Sequence, residues 1–140
     1  MDSLDCPFRK VDSILEEING LWDICLIDFH AEATSEKLAF AHYFDGRVSA
    51  ILGTHTHIQT ADQRLLGRGT AYISDLGMTG PVDSILGMNK DQVITKFLSQ
   101  RPVRLEVARG AVQIQGVLLD VDDNSFRVIN IERFSQEAKS

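Results

Sequence analysis

The sequence predicts an α/β (α+β) fold. Two apolar runs, at residues 24–29 and 48–52, flank one helical segment, and after Pro102 the pattern changes to alternating apolar and polar positions. Strand, helix and strand joined by short connections are most simply a right-handed parallel βαβ unit. Alternation broken by turns indicates a C-terminal antiparallel meander. A third observation locates the chemistry: both apolar runs lead into histidine, His30 after the first and Gly53-Thr54-His55-Thr56-His57 after the second. In open sheets of parallel strands, ligands collect at the carboxyl ends of the strands.

Asp5 and Pro7 open the first helix, whose apolar positions Phe8, Val11, Ile14, Leu15 and Ile18 keep to one face before Asn19-Gly20 stops it. The strand Ile24-Cys25-Leu26-Ile27-Asp28-Phe29 is nearly all apolar, which predicts cover on both faces. Thr34 or Ser35 caps the second helix, with Glu36 at its positive end, Leu38, Ala41 and Phe44 facing inward, and Asp45-Gly46 ending it. The second strand is Val48-Ser49-Ala50-Ile51-Leu52, and a third short one is Ala71-Tyr72-Ile73-Ser74. The connection from Asp75 to Met88 holds Gly77, Gly80, Pro81 and Gly87, and a loop of that length is functional or contacts a partner. Asn89 and Asp91 open a helix with Val93, Ile94, Phe97 and Leu98. The meander is then Val103, Leu105 and Val107 on one strand face, a strand over 112–121 with a bulge expected at Gly116, a turn at Asp122-Asp123-Asn124, and a last strand over 126–134.

At 140 residues the chain is one domain, expected to span 1–140. With 44% hydrophobic and 24% charged residues there is no compositional case for disorder. The net charge of -6 argues against a nonspecific nucleic-acid surface. A small phosphate held through metal remains compatible with it. Cys6 and Cys25 make no disulfide framework, and a reducing, cytoplasmic setting follows. No apolar run approaches the ~20 residues of a membrane span, and Met1-Asp2-Ser3-Leu4-Asp5 lacks the features of a signal peptide, so no membrane partner is expected.

His30, His55 and His57 are the candidate metal ligands, because neutral imidazoles at fixed spacing can share one ion. Each taken singly is more often a loop residue satisfied by a hydrogen bond. Asp28 falls on the same strand face as His30 and is read as a ligand, as an acceptor for an imidazole, or as a cap or salt-bridge partner. Glu32 is placed to reach a metal or to orient His30. Asp75 reads more simply as a turn former, and His42 as a packed or surface residue of the helix. Asp122-Asp123-Asn124 lacks the glycine and final glutamate of a calcium loop. There is no Gly-x-Ser-x-Gly elbow, glycine-rich phosphate loop or Cys-x-x-Cys pair, which removes serine hydrolase, nucleotide kinase and thiol-redox readings.

Three separated segments occur in order: 27–37, Ile-Asp-Phe-His-Ala-Glu-Ala-Thr-Ser-Glu-Lys; 53–62, Gly-Thr-His-Thr-His-Ile-Gln-Thr-Ala-Asp; and 75–81, Asp-Leu-Gly-Met-Thr-Gly-Pro. Together they resemble the bacterial YmdB family of metallophosphoesterases over nearly the whole chain. The resemblance implies a calcineurin-like four-layer αββα sandwich and hydrolysis of phosphodiesters, notably 2′,3′-cyclic nucleotides, at two divalent metal ions such as iron or manganese, with zinc also possible. A metal pair of that kind clamps the phosphate and activates water for attack on phosphorus. By resemblance, His30 and His55 match the histidine ligands of one metal and His57 that of the other; no catalytic residue is carried over.

The family's remaining ligands, an aspartate, a Glu-Asn pair and an Asn-His pair, belong to an N-terminal half without counterpart here. The expectation is therefore the C-terminal part of the domain, an incomplete sandwich and a fragment of a longer sequence, inactive in isolation. Its open sheet edges favour a homo-oligomer. The alternative is a noncatalytic regulatory or assembly subunit, and a single-metal hydrolase using the three histidines is a second enzyme reading.

Overall fold

The computed structural model describes residues 5–138. Helix α1 (Pro7–Glu17) starts with a proline in its first turn, where the missing N–H costs nothing. Phe8, Val11 and Leu15 form its packed face, with the Phe8 ring edge-on to Phe40 at 5.2 Å. Ile14, expected in that stripe, is 39% exposed.

Strand β1 (Leu26–His30), helix α2 (Thr34–Tyr43) and strand β2 (Ala50–Thr54) make the expected parallel unit, in register from Leu26 opposite Ala50 to His30 opposite Thr54. Helix α2 begins after Ala33 without a side-chain cap bond, so neither Thr34 nor Ser35 caps it. Strands β3 (Arg64–Leu65) and β4 (Ala71–Ile73) complete the first sheet in the order β1-β2-β4-β3, with β4 parallel to β2 and β3 antiparallel to β4. The two residues of β3 carry no pattern long enough to read from sequence.

Helices α1 and α2 cover one face of this sheet through Phe29, Phe40, Phe44, Ile51 and Tyr72. The other face, at Ala50, Leu52 and Ala71, packs against Val117, Leu119, Val128 and Ile131 of the second sheet. That sheet is antiparallel, β5 (Gly80–Pro81), β6 (Val112–Val121) and β7 (Val128–Glu137), in that spatial order. The layers are thus helix, sheet and sheet, with Ile114 and Leu118 of β6 left exposed.

Four expectations are corrected. Strand β1 is covered on one face only, because it is an edge strand that the second sheet does not reach; Leu26 is 53% exposed while Phe29 is buried. The alternating segment 103–107 forms no strand: Val107 makes a single bridge to Met88, and the edge of β6 is taken by Gly80–Pro81. The meander is therefore one hairpin joined by a strand from the loop. Gly116 is not a bulge. It pairs in regular register with Phe134, whose ring would lie 2.9 Å from an added Cβ, and the register shift comes at Asp120/Val121. The last strand starts at Val128, since Phe126 takes φ 55 in the turn. The Asp122 turn forms as expected, its carboxylate accepting from Ser125 N and Oγ at 2.8 and 2.7 Å.

Helix α3 (Lys90–Ser99) is capped by Asn89, whose Oδ1 accepts from Gln92 N, and it buries Val93. Ile94, Phe97 and Leu98 are exposed. Among the described residues no helix is long and apolar enough to cross a membrane.

Candidate metal centre

Parallel pairing sets His30 opposite Thr54 at the carboxyl ends of β1 and β2, so the residue after Thr54 emerges beside His30. His55 Nδ1 lies 3.3 Å from His30 Nε2, with the two rings edge-on at 5.2 Å between centroids. Two nitrogens each ~2.0–2.1 Å from one tetrahedral ion are separated by about 3.3 Å, so the spacing fits a shared cation.

The hydrogen bonds around His30 assign its tautomer. Thr54 Oγ1 donates to Asp28 Oδ1 at 3.0 Å, which leaves the threonine oxygen to accept from His30 Nδ1–H at 3.1 Å. His30 Nε2 is then the free lone pair turned toward His55. A carboxylate acting through a hydroxyl to orient an imidazole is an arrangement found behind metal ligands. Asp28 is therefore an acceptor behind the site, while Glu32 is exposed and is not hydrogen-bonded to His30.

The loop that carries His55 and His57 has unusual backbone geometry. His55 has φ 147 and His57 φ 64, values that L residues rarely adopt and that persist only where surroundings enforce them. Just before the loop, Gly53 of β2 runs so close to the chain leaving β4 that an added Cβ would sit 2.0 Å from the Ser74 carbonyl oxygen. Downstream, the Gln59 Nε2 amide is shared among the carbonyls of Leu76, Gly116 and Phe134 at 3.2, 2.8 and 3.3 Å, tying the loop to the second sheet.

Beneath the loop is a polar knot that the sequence reading missed. Thr60 Oγ1 donates to Asp62 Oδ1 at 2.8 Å and accepts from Asp75 N, while Ser74 N donates to Asp62 at 3.0 Å. Burial would raise the Asp62 carboxyl, but these donors outweigh it and hold the group below its ordinary value. Above the neighbouring strand, burial and the Asp62 charge push Tyr72 up to about 12, against the Arg64 guanidinium, and its hydroxyl has no hydrogen-bond partner.

The structure thus brings His30 and His55 together. It leaves His57 two residues further along, and no group of three His, Cys, Asp or Glu side chains among the described residues forms a cluster able to hold an ion. The pair fits part of a metal's coordination sphere, with further donors required from elsewhere. His42 is exposed in the last turn of α2.

A family model described as YmdB-like protein matches residues 1–134. The chain belongs to the YmdB-like family. Within reach of that family, it is 53% identical over 130 residues to the 2',3'-cyclic-nucleotide 2'-phosphodiesterase of Bacillus subtilis, a match covering 93% of this chain and 49% of that protein. The crystal structure of a hypothetical protein from Thermus thermophilus superposes with a TM-score of 0.90 at 44% identity, covering 99% of this chain and 54% of the other. A phosphatase from Mycoplasma pneumoniae, also a crystal structure, superposes with a TM-score of 0.86 at 40% identity, covering 94% and 46%. The chain spans about half the length of the curated relatives it matches.

Proposed function

We propose that this chain supplies the C-terminal half of a metal-dependent phosphodiesterase site acting on 2′,3′-cyclic nucleotides or similar small phosphodiesters. The observation that carries the reading is the 3.3 Å spacing of His30 Nε2 and His55 Nδ1, with the His30 tautomer fixed through Thr54 and Asp28. His30 and His55 would hold one divalent ion and His57 would belong to a second, with iron, manganese or zinc as the ion. Bound metal supplies electrostatic clamping of the phosphate and activation of water. The protein's own contribution is orientation: the Asp28–Thr54–His30 relay presents a lone pair, and the constrained loop sets where His55 points.

Further parts of this proposal concern setting and assembly. The complete domain would be a calcineurin-like αββα sandwich, which the helix, sheet and sheet layering supports as far as it extends. That no third His, Cys, Asp or Glu side chain joins the histidine pair in a metal-holding cluster among the described residues favours inactivity of the chain alone. The free edge of β1 favours self-association, and the two unpaired cysteines favour a reducing cytoplasmic setting.

The test is hydrolysis of a 2′,3′-cyclic nucleotide in manganese, by the chain alone and by the chain co-expressed with the N-terminal half of the Bacillus subtilis relative. The expected result is activity only in the combination, lost on His55→Ala. Activity of the chain alone would favour a self-sufficient hydrolase, and an inactive but well-formed combination would favour the noncatalytic subunit.

A further inference from the structure

Lys37 of α2 and Asp75, just past β4, are each 1% exposed, with Nζ and Oδ2 3.6 Å apart. Removing two charges from water is costly unless their remaining hydrogen-bonding capacity is well used. Here it is spent on one residue's flanking peptides. Lys37 Nζ donates to the Thr54 carbonyl at 3.3 Å, and Asp75 Oδ2 accepts from the Thr56 amide at 2.7 Å. The other carboxylate oxygen accepts from Gly77 N at 3.0 Å, anchoring Asp75 from its own side.

The Thr54 carbonyl belongs to the peptide plane entering His55, and the Thr56 amide to the plane leaving it. Fixing both planes fixes both backbone dihedrals of the residue between them, and that residue has φ 147. Neither Lys37 nor Asp75 makes a hydrogen bond or ion pair with an imidazole among the described residues. Their grip is on the backbone alone, and the ion pair joins the two grips so that neither moves independently.

We propose that the Lys37–Asp75 ion pair is a positioning device that holds His55 in its strained conformation and so sets the His30–His55 spacing required by a cation. This inference rests on the metal-site reading above. A merely structural pair would stabilise the fold without changing the loop or its affinity for metal.

The experiment compares the chain with Asp75→Asn and with the paired variant Lys37→Met/Asp75→Leu, which removes both charges while keeping apolar volume and so leaves neither charge buried alone. Zinc is titrated while the imidazole nitrogens of His30, His55 and His57 are followed by NMR, and exchange of the Thr56 amide is measured without metal. The expected result is a folded paired variant whose Thr56 amide exchanges freely and whose zinc affinity falls by about 10–100-fold. A folded paired variant with Thr56 still protected and zinc bound as in the parent overturns the proposal. If the parent chain shows no zinc response at His30 and His55, the metal reading fails by itself. The proximity of the His30 and His55 rings, read as a nuclear Overhauser contact in parent and variant, then decides the positioning role alone: its loss in the folded variant upholds it, and its persistence overturns it.

Discussion

His30 and His55 are 25 residues apart in sequence and 3.3 Å apart at their ring nitrogens, a proximity produced by the register that sets His30 opposite Thr54. A one-residue slip of β1 against β2 would turn His30 to the opposite face of the sheet. The site is therefore as sound as the strand pairing beneath it.

Gly53→Ala places a methyl 2.0 Å from the Ser74 carbonyl oxygen and 2.5 Å from its carbon, backbone atoms that cannot rotate away. Strands β2 and β4 must separate to admit it. The expected loss is at least about 1–3 kcal/mol, the range for overpacking a close-packed interior, read as a lower denaturant midpoint with an unchanged slope.

Tyr72→Phe removes a buried hydroxyl that has no partner while keeping the ring packed in the core. Deleting an unsatisfied group gives back its desolvation penalty. Stability is expected to be unchanged or to rise by up to about 1 kcal/mol, measured by thermal unfolding; a clear loss would mean that the hydroxyl has a partner.

Asp62→Asn is expected to destabilise the chain at neutral pH by less than about 1 kcal/mol, the net value of a hydrogen bond reduced by solvent screening of a partly exposed carboxylate. The folded-state pKa is depressed, so the contribution is fully present above the unfolded value of ~3.9 and disappears as pH falls through the lower folded value. Chemical denaturation at neutral and acid pH should show the difference between variant and parent shrinking below about pH 4.

Leu26→Lys tests self-association. Leu26 is 53% exposed on the open face of edge strand β1, beside the half-exposed Ile24. Charge on an edge opposes pairing with another chain. The parent is expected to sediment as a concentration-dependent oligomer and the variant to shift toward monomer.

The parallel unit was legible because two uninterrupted apolar runs enclosed one helical period, and the histidines were legible because they follow those runs. What the sequence hid was context. Lys37 belongs to a residue type almost never found inside, and only the fold reveals the carboxylate that keeps it there. Asp75 has the local look of a turn residue, and it is one, yet its carboxylate also holds the amide of Thr56, 19 positions earlier. The misread strand at 103–107 shows the converse: alternation was present, but no sheet edge was available to pair with it.

The three carbonyls shared by Gln59 come from the loop after β4, from β6 and from β7, and Arg133 of β7 adds a bond to Thr60 O at 3.0 Å. A rocking of one layer over the other cannot then leave His57, two residues upstream, where it was. The outer hairpin thus has a lever arm on the histidine shelf, and substitutions along it that never approach the imidazoles would retune them mechanically.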